Sequence, residues 1–264
     1  MCDAVDLQER LRRIRRDAAT RLFRAEDIHW LSETASTNDD CRRLTEEAGA
    51  RPVIVLADRQ TAGRGQYGRT WEAPPGLGVL MSLSIPAPPS ENAILTAWAS
   101  TAAAIMLDRF SGLKAVVKWP NDILVERRKI AGVLVEVRGS AVVGIGINVL
   151  QRPEHFPTDC RLPPTSIAIE TGEDADRDAV AASLLDALED LAVPSMQESS
   201  ERIVEAWRQR LDVLPGQEVV ATTPDQSMIG ELLALHPRDG LRLRTSSGVV
   251  RIPGPRLLRV EPCE

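Results

Sequence analysis

The 264 residues are 43% apolar and 27% charged, a balance that excludes disorder and collagen-like order and supplies material for a sizeable core. No apolar run approaches the ~20 residues that span a bilayer, and residues 1–16 alternate charge with leucine in place of a signal-peptide core, so a cytoplasmic protein without membrane attachment is expected. With 32 Lys and Arg against 38 Asp and Glu, the formal charge of −6 argues against a surface built throughout for nucleic acid and confines any basic site to a local patch.

In chain order, residues 7–28 set Leu7, Leu11, Ile14 and Leu22 at helical spacing among arginines, which predicts a helix with a basic outer face. Before position 30 there is no room for the three helices of a DNA-reading helix-turn-helix unit, and no repressor domain is predicted. A second helix starts at Ser36 or Thr37, either of which can cap it, with Asp39 or Asp40 completing a capping box and Gly49 as the stop. Short β-branched runs at 53–57, 78–85, 115–118, 122–126, 131–137 and 141–149 predict strands. An alanine-rich helix is predicted over 91–111, and two more over about 177–192 and 199–212. From Leu214-Pro215-Gly216 the texture becomes short alternating runs between Pro, Gly, Asp and Ser. Such a tail is too small for an independent core and is expected to pack on the main domain. The expected organisation is a helical segment over 1–30, a mixed α+β domain over 31–213 and a small β module over 214–264.

Cys2, Cys41, Cys160 and Cys263 form no C-x-x-C pair, so neither a zinc site nor a disulfide framework is indicated. His29, His155 and His236 belong to no triad pattern. Three other segments carry candidate chemistry. Residues 60–71, QTAGRGQYGRTW, follow a strand with glycines that let backbone approach an anion and with Arg64 and Arg69 as forked donors; a structural turn with surface arginines is the alternative. In Lys118-Trp-Pro-Asn-Asp122, Pro120 forces Asn121 and Asp122 into a turn, where Asp122 can hold a hard cation and Lys118 can face phosphate; an ordinary Pro-Asn turn fits equally. Lys129, entering an apolar strand, suits the stabilisation of developing negative charge. Gly144 and Gly146 strip one face of the last strand, leaving space for a flat ligand or for close strand packing.

Together, STN at 36–38, QTAGRGxxGRxW at 60–71, KWPND at 118–122, RKIAGVLVE at 128–136 and GIGIN at 144–148 closely resemble, in order, the motifs of the biotin–protein ligases. The resemblance covers about residues 32–212, with the β-rich tail corresponding to the family's small barrel. It implies a class II synthetase-like catalytic domain, a mixed β-sheet flanked by helices, followed by an SH3-like β-barrel, in a monofunctional enzyme without a DNA-binding domain. The implied reaction has two steps: biotin's carboxylate attacks the α-phosphate of ATP, giving biotinyl-5′-AMP, and a lysine of a carboxylase's biotin carboxyl carrier domain then takes the biotinyl group. Mg²⁺ would screen the phosphates. DNA and membrane are not expected partners, and a homodimer is left open.

By the same resemblance, Arg64 and Lys129 would be catalytic. Ser36, Thr37, Asn38, Gln60, Gly63, Arg64, Gly65, Gln66, Lys129, Gly132 and Gly144 would form the biotin site. Arg64, Arg69, Trp71, Lys118, Asn121 and Asn148 would handle ATP, and Asp122 the metal. Helix capping is the rival role for Ser36 and Thr37. One departure stands out: many relatives carry arginine where this chain has Gln66, which implies looser retention of the adenylate. The alternatives are a lipoate–protein ligase, whose dithiolane substrate would not need polar partners for a ureido ring, and a non-catalytic biotin or adenylate sensor.

Overall fold

The computed structural model describes residues 27–49, 51–85, 91–191 and 200–263. The helix predicted over 7–28 lies outside these residues except at its end, where the prediction is corrected. Ile28–Leu31 is a strand, β1, whose alternating burial places Ile28 and Trp30 in the core, and it pairs parallel with β2, Ile54–Ala57. A period of two in so short a run was masked by the helical pattern preceding it.

Five further strands complete the main sheet: β3 (Gly78–Ile85), β4 (Val116–Lys118), β5 (Asp122–Val125), β6 (Arg128–Arg138) and β7 (Ser140–Asn148). Their order is β1-β2-β3-β7-β6-β5-β4, antiparallel except for β1 with β2, which makes the sheet mixed as expected. Helix α1, Thr37–Glu47, packs on β2, β3 and β7. It covers the face where Val53, Val55 and Val142 surround Cys41; burial of that thiol pushes its pKa up to about 12, so it is an inert part of the packing. The alternate residues Ile54 and Leu56 face the opposite, larger core.

That core is covered by α2, Asn92–Ser111, whose alanines let it lie close to β6 and β7. Gly112 ends α2 in the left-handed conformation, its N–H donating to the Asp108 carbonyl. Behind α2 pack α4 (Arg177–Leu191) and α5 (Ser200–Arg208); a short α3, Ile167–Thr171, was not foreseen. None of the described helices is long and apolar enough to cross a membrane.

The tail folds into β8 (Glu218–Thr222), β9 (Ser227–His236), β10 (Gly240–Thr245), β11 (Gly248–Ile252) and β12 (Arg259–Pro262). They form a separate antiparallel sheet of order β11-β10-β9-β8-β12, the small SH3-like barrel architecture expected. Its buried Val219, Leu232, Leu243 and Val260 join the main core. Trp119 fastens the two parts: its indole N–H donates to the Leu257 carbonyl at 2.9 Å, and its ring meets Trp207 edge-on at 6.1 Å.

Candidate active site

Strand register creates the site floor. Gly146 lies opposite Leu80 and Gly132, and Gly144 opposite Ser82 and Leu134, so Gly132, Gly144 and Gly146 form a strip without side chains. Of the two uses left open for this strip, space for a flat ligand or close packing, it serves close packing, with protein side chains on Gly144 and Gly146. A Cβ on Gly146 would come within 2.4 Å of the Trp71 indole, and one on Gly144 within 2.4 Å of Asn38 Oδ1. The indole is drawn there by the hairpin of residues 63–71, closed by Trp71 N–H to Gly63 O at 3.0 Å and Gly65 N–H to Arg69 O at 2.7 Å. Gly63 is required by the same closure, since a Cβ there would meet the Trp71 carbonyl at 2.3 Å.

Above the strip is a cavity of about 430 Å³ lined by Ser36, Thr37, Asn38, Gln60, Arg64, Gly65, Gln66, Arg69, Trp71, Asn121, Asp122, Lys129, Gly132 and Gly144. Fold topology therefore brings these residues together from positions up to 108 apart, Ser36 to Gly144. Gly63, Lys118 and Asn148 are not among its lining. Asn148 lies in an adjoining cavity of about 630 Å³, which shares Arg69, Trp71, Asp122 and Lys129 with the first. Lys118 points elsewhere: its ammonium is buried 3.1 Å from Glu261 and 3.8 Å from Asp212, tying β4 to the C-terminal sheet. Asn121 donates to the Val133 carbonyl at 2.7 Å and so holds the turn to β6.

A continuous polar seam follows the first cavity. Gln60 Oε1 accepts from the Thr37 N–H at 2.9 Å and hydroxyl at 3.0 Å. The Ser82 hydroxyl lies 2.7 Å from Thr37 Oγ1 and 2.6 Å from Asn38 Oδ1, and with one proton it can donate to only one of them at a time. Asn38 Nδ2 donates to Glu136 at 2.8 Å. Arg64 closes the seam, donating to Glu136 at 3.2 Å and through both terminal nitrogens to Asp39 at 2.8 and 2.7 Å. That fork raises the pKa of Arg64 further, while the Arg64 hydrogen bond lowers that of Asp39 despite the opposing effect of burial.

The capping box expected at Ser36 does not form. Ser36 is the N-cap of α1 without a side-chain cap bond, because Asp39 is held by Arg64 and Asp40 by the Thr34 hydroxyl and Arg43. Ser82 and Glu136 were not singled out from sequence, and Asp39 was singled out only as part of a helix cap. Ser82 carried a signal, being one of two serines two residues apart in the otherwise apolar β3, where a buried hydroxyl must find a partner.

On the same cavity, Lys129 stands with its ammonium 5.4 Å from the centre of the Trp71 ring and 2.5 Å from Asp122 Oδ1. Arg161, from the loop after β7, takes Asp122 Oδ2 at 3.2 Å. Asp122, 6% exposed at the start of β5, thus faces a cation with each oxygen. Among the described residues no three His, Cys, Asp or Glu side chains cluster as a metal site. The donor set does not fit a resident Mg²⁺ held by protein carboxylates; it fits an ion pair that orients Lys129.

The sequence profile of the Biotin/lipoate A/B protein ligase family matches residues 31–151. The biotin–[acetyl-CoA-carboxylase] ligase of Paracoccus denitrificans is 31% identical over 238 residues, 84% of this chain and 96% of that one. The bifunctional ligase/repressor BirA of Bacillus subtilis is 31% identical over 226 residues, 83% of this chain and 69% of that one. Among solved structures, the biotin protein ligase of Aquifex aeolicus in complex with biotin and ATP superposes with a TM-score of 0.72 at 28% identity, covering 89% of this chain and 99% of that one. With 31% identity along 96% of the Paracoccus enzyme and most of the motif residues gathered at one cavity, this chain belongs to the biotin protein ligase family.

Proposed function

We propose that this chain is an ATP-dependent ligase that activates biotin as biotinyl-5′-AMP and transfers it to a lysine on the carrier domain of a biotin-dependent carboxylase, acting in the cytoplasm. The observation that carries this is the convergence of Arg64 and Lys129, 65 positions apart in sequence, on one cavity with the Trp71 indole at its floor. On this proposal residues 31–213 form the catalytic domain and 214–264 a module that braces it.

Arg64 receives the biotin carboxylate by exchanging one of its present carboxylate partners, Asp39 or Glu136, for the incoming one. The seam of Thr37, Asn38 and Gln60, with Ser36 and Ser82, offers donors and acceptors suited to a ureido ring, which favours biotin over the apolar dithiolane of lipoate. Lys129, fixed by Asp122, stabilises charge that develops at the α-phosphate; because both oxygens of Asp122 are occupied, Mg²⁺ enters as the counter-ion of the ATP substrate. Trp71 supplies a flat apolar surface for adenine. No side chain needs to form a covalent intermediate, because the adenylate itself is the activated acyl group, and alignment of the two anions does most of the work.

Pyrophosphate release is the test, measured with ATP, Mg²⁺ and either biotin or lipoate, together with the mass of the bound adenylate. Biotin alone is expected to support it. Arg64→Ala and Lys129→Ala are each expected to lower the rate by about 100- to 1,000-fold, or roughly 2.7–4 kcal/mol, as for loss of a transition-state donor. Release with lipoate only, or with neither acid, would overturn the proposal. DNA is not a partner on this proposal; a sequence-specific, steeply salt-dependent DNA affinity would contradict that.

A further inference from the structure

Adenylation, on which this inference rests, has a directional consequence. The attacking and leaving oxygens lie on opposite sides of the α-phosphorus, so pyrophosphate departs on the side away from the incoming carboxylate. Arg64, which receives the carboxylate, lines the first cavity and not the second. The second cavity, about 630 Å³, is therefore the exit side, and Lys129 stands at the junction because it lines both.

Arg161 lines both cavities as well. It lies beyond residues 31–151, where the family profile matches, and outside every motif read from the sequence. Its guanidinium, about a third exposed, reaches Asp122 with one nitrogen at 3.2 Å and Glu261 of β12 with the other at 3.4 Å. Each contact is single and long compared with the 2.7–2.8 Å fork of Arg64 on Asp39. An arginine held this way keeps further N–H donors for a polyanion, and a pyrophosphate is a stronger partner than either carboxylate.

We propose that Arg161 binds the pyrophosphate leaving group. As the carboxylate oxygen of biotin bonds to the α-phosphorus, the bond from that phosphorus to the oxygen bridging to the β-phosphate breaks, and its electron pair stays on pyrophosphate. No proton moves, and Arg161 remains a cation throughout. Asp122 is then shared between a lysine acting at the α-phosphate and an arginine acting at the group that leaves it.

Two half-reactions separate this role from a structural one: biotin-dependent exchange of labelled pyrophosphate into ATP, and transfer of preformed biotinyl-5′-AMP to a carrier domain, in which pyrophosphate takes no part. Arg161→Gln is expected to raise the KM for pyrophosphate by about tenfold or more, with Arg161→Lys recovering part of the loss and transfer staying within about twofold of wild type. An unchanged KM for pyrophosphate, or equal losses in exchange and transfer, would overturn the assignment and leave Arg161 as a clip between Asp122 and the C-terminal sheet. Absence of exchange in the wild-type chain would instead overturn the adenylation proposal, and this inference with it.

Discussion

Gln66 shows how one side chain can alter the outcome of a shared chemistry. It lines the cavity beside Arg64, and its buried Oε1 has no hydrogen-bond partner among the described residues, so it offers an acceptor and no fixed charge to a bound adenylate. Gln66→Arg should retain biotinyl-5′-AMP better, seen as severalfold less labelling of lysines on a bystander protein during turnover; equal labelling would show that Gln66 does not set retention. Asp212 acts on stability instead. It is buried near Lys118 with one oxygen unpartnered among the described residues, and burial pushes its pKa from 3.8 up to about 6. Because the folded value is raised, its stabilising contribution is complete below pH 3.8 and is lost as pH rises through about 6. Asp212→Asn is expected to flatten the stability profile across that window by roughly 1–3 kcal/mol, measured as the difference in urea unfolding between variant and wild type.

At the scale of elements, the glycine strip and the 63–71 hairpin act as one unit, since each is shaped to receive the other. A methyl group on Gly146 cannot coexist with the present position of the Trp71 indole, whereas one on Gly144 collides with Asn38 Oδ1. The two substitutions should therefore separate the substrates. Gly146→Ala is expected to raise the KM for ATP, and Gly144→Ala the KM for biotin, each by about tenfold, a cost of about 1.4 kcal/mol within the range for overpacking. A reversed pattern in steady-state kinetics would reassign the ends of the cavity. These elements were legible in part. The run 78–85 was predicted as a strand and is β3 to the residue, and 91–111 became α2 with a one-residue change. Strand β1 was lost under the helical pattern before it, and α3 is too short for its periodicity to register.

For the whole molecule, the C-terminal sheet belongs to the site as much as to the scaffold. Glu261 of β12 faces both Lys118 and Arg161, and Leu258 and Arg259 line the first cavity. Trp119, two residues from Asn121 in the same motif, anchors this arrangement through Leu257 and Trp207. Trp119→Ala removes a buried aromatic at the junction and should cost about 3–5 kcal/mol in global unfolding, measured by denaturant titration. If the melt instead separated into two transitions with the main one unmoved, the two sheets would be energetically independent.

Periodicity and turn chemistry are local properties, and they were enough to locate most strands, the long helices and the change to a β-rich tail. The resemblance of the motifs to those of the biotin–protein ligases likewise marked Arg64, Trp71, Asp122, Lys129 and Gly144 as one group before any of them was placed in space. Partnership was not legible, because it depends on which segments the sheet order and register bring together. Lys118 and Lys129 belong to neighbouring motifs, yet the first is turned to Glu261 in the C-terminal sheet and the second to the cavity. Asp122 resembled a metal ligand until Arg161, 39 residues away, was found on its second oxygen. A carboxylate's role is set by the charges that surround it, and those charges come from parts of the chain that only the tertiary fold makes neighbours.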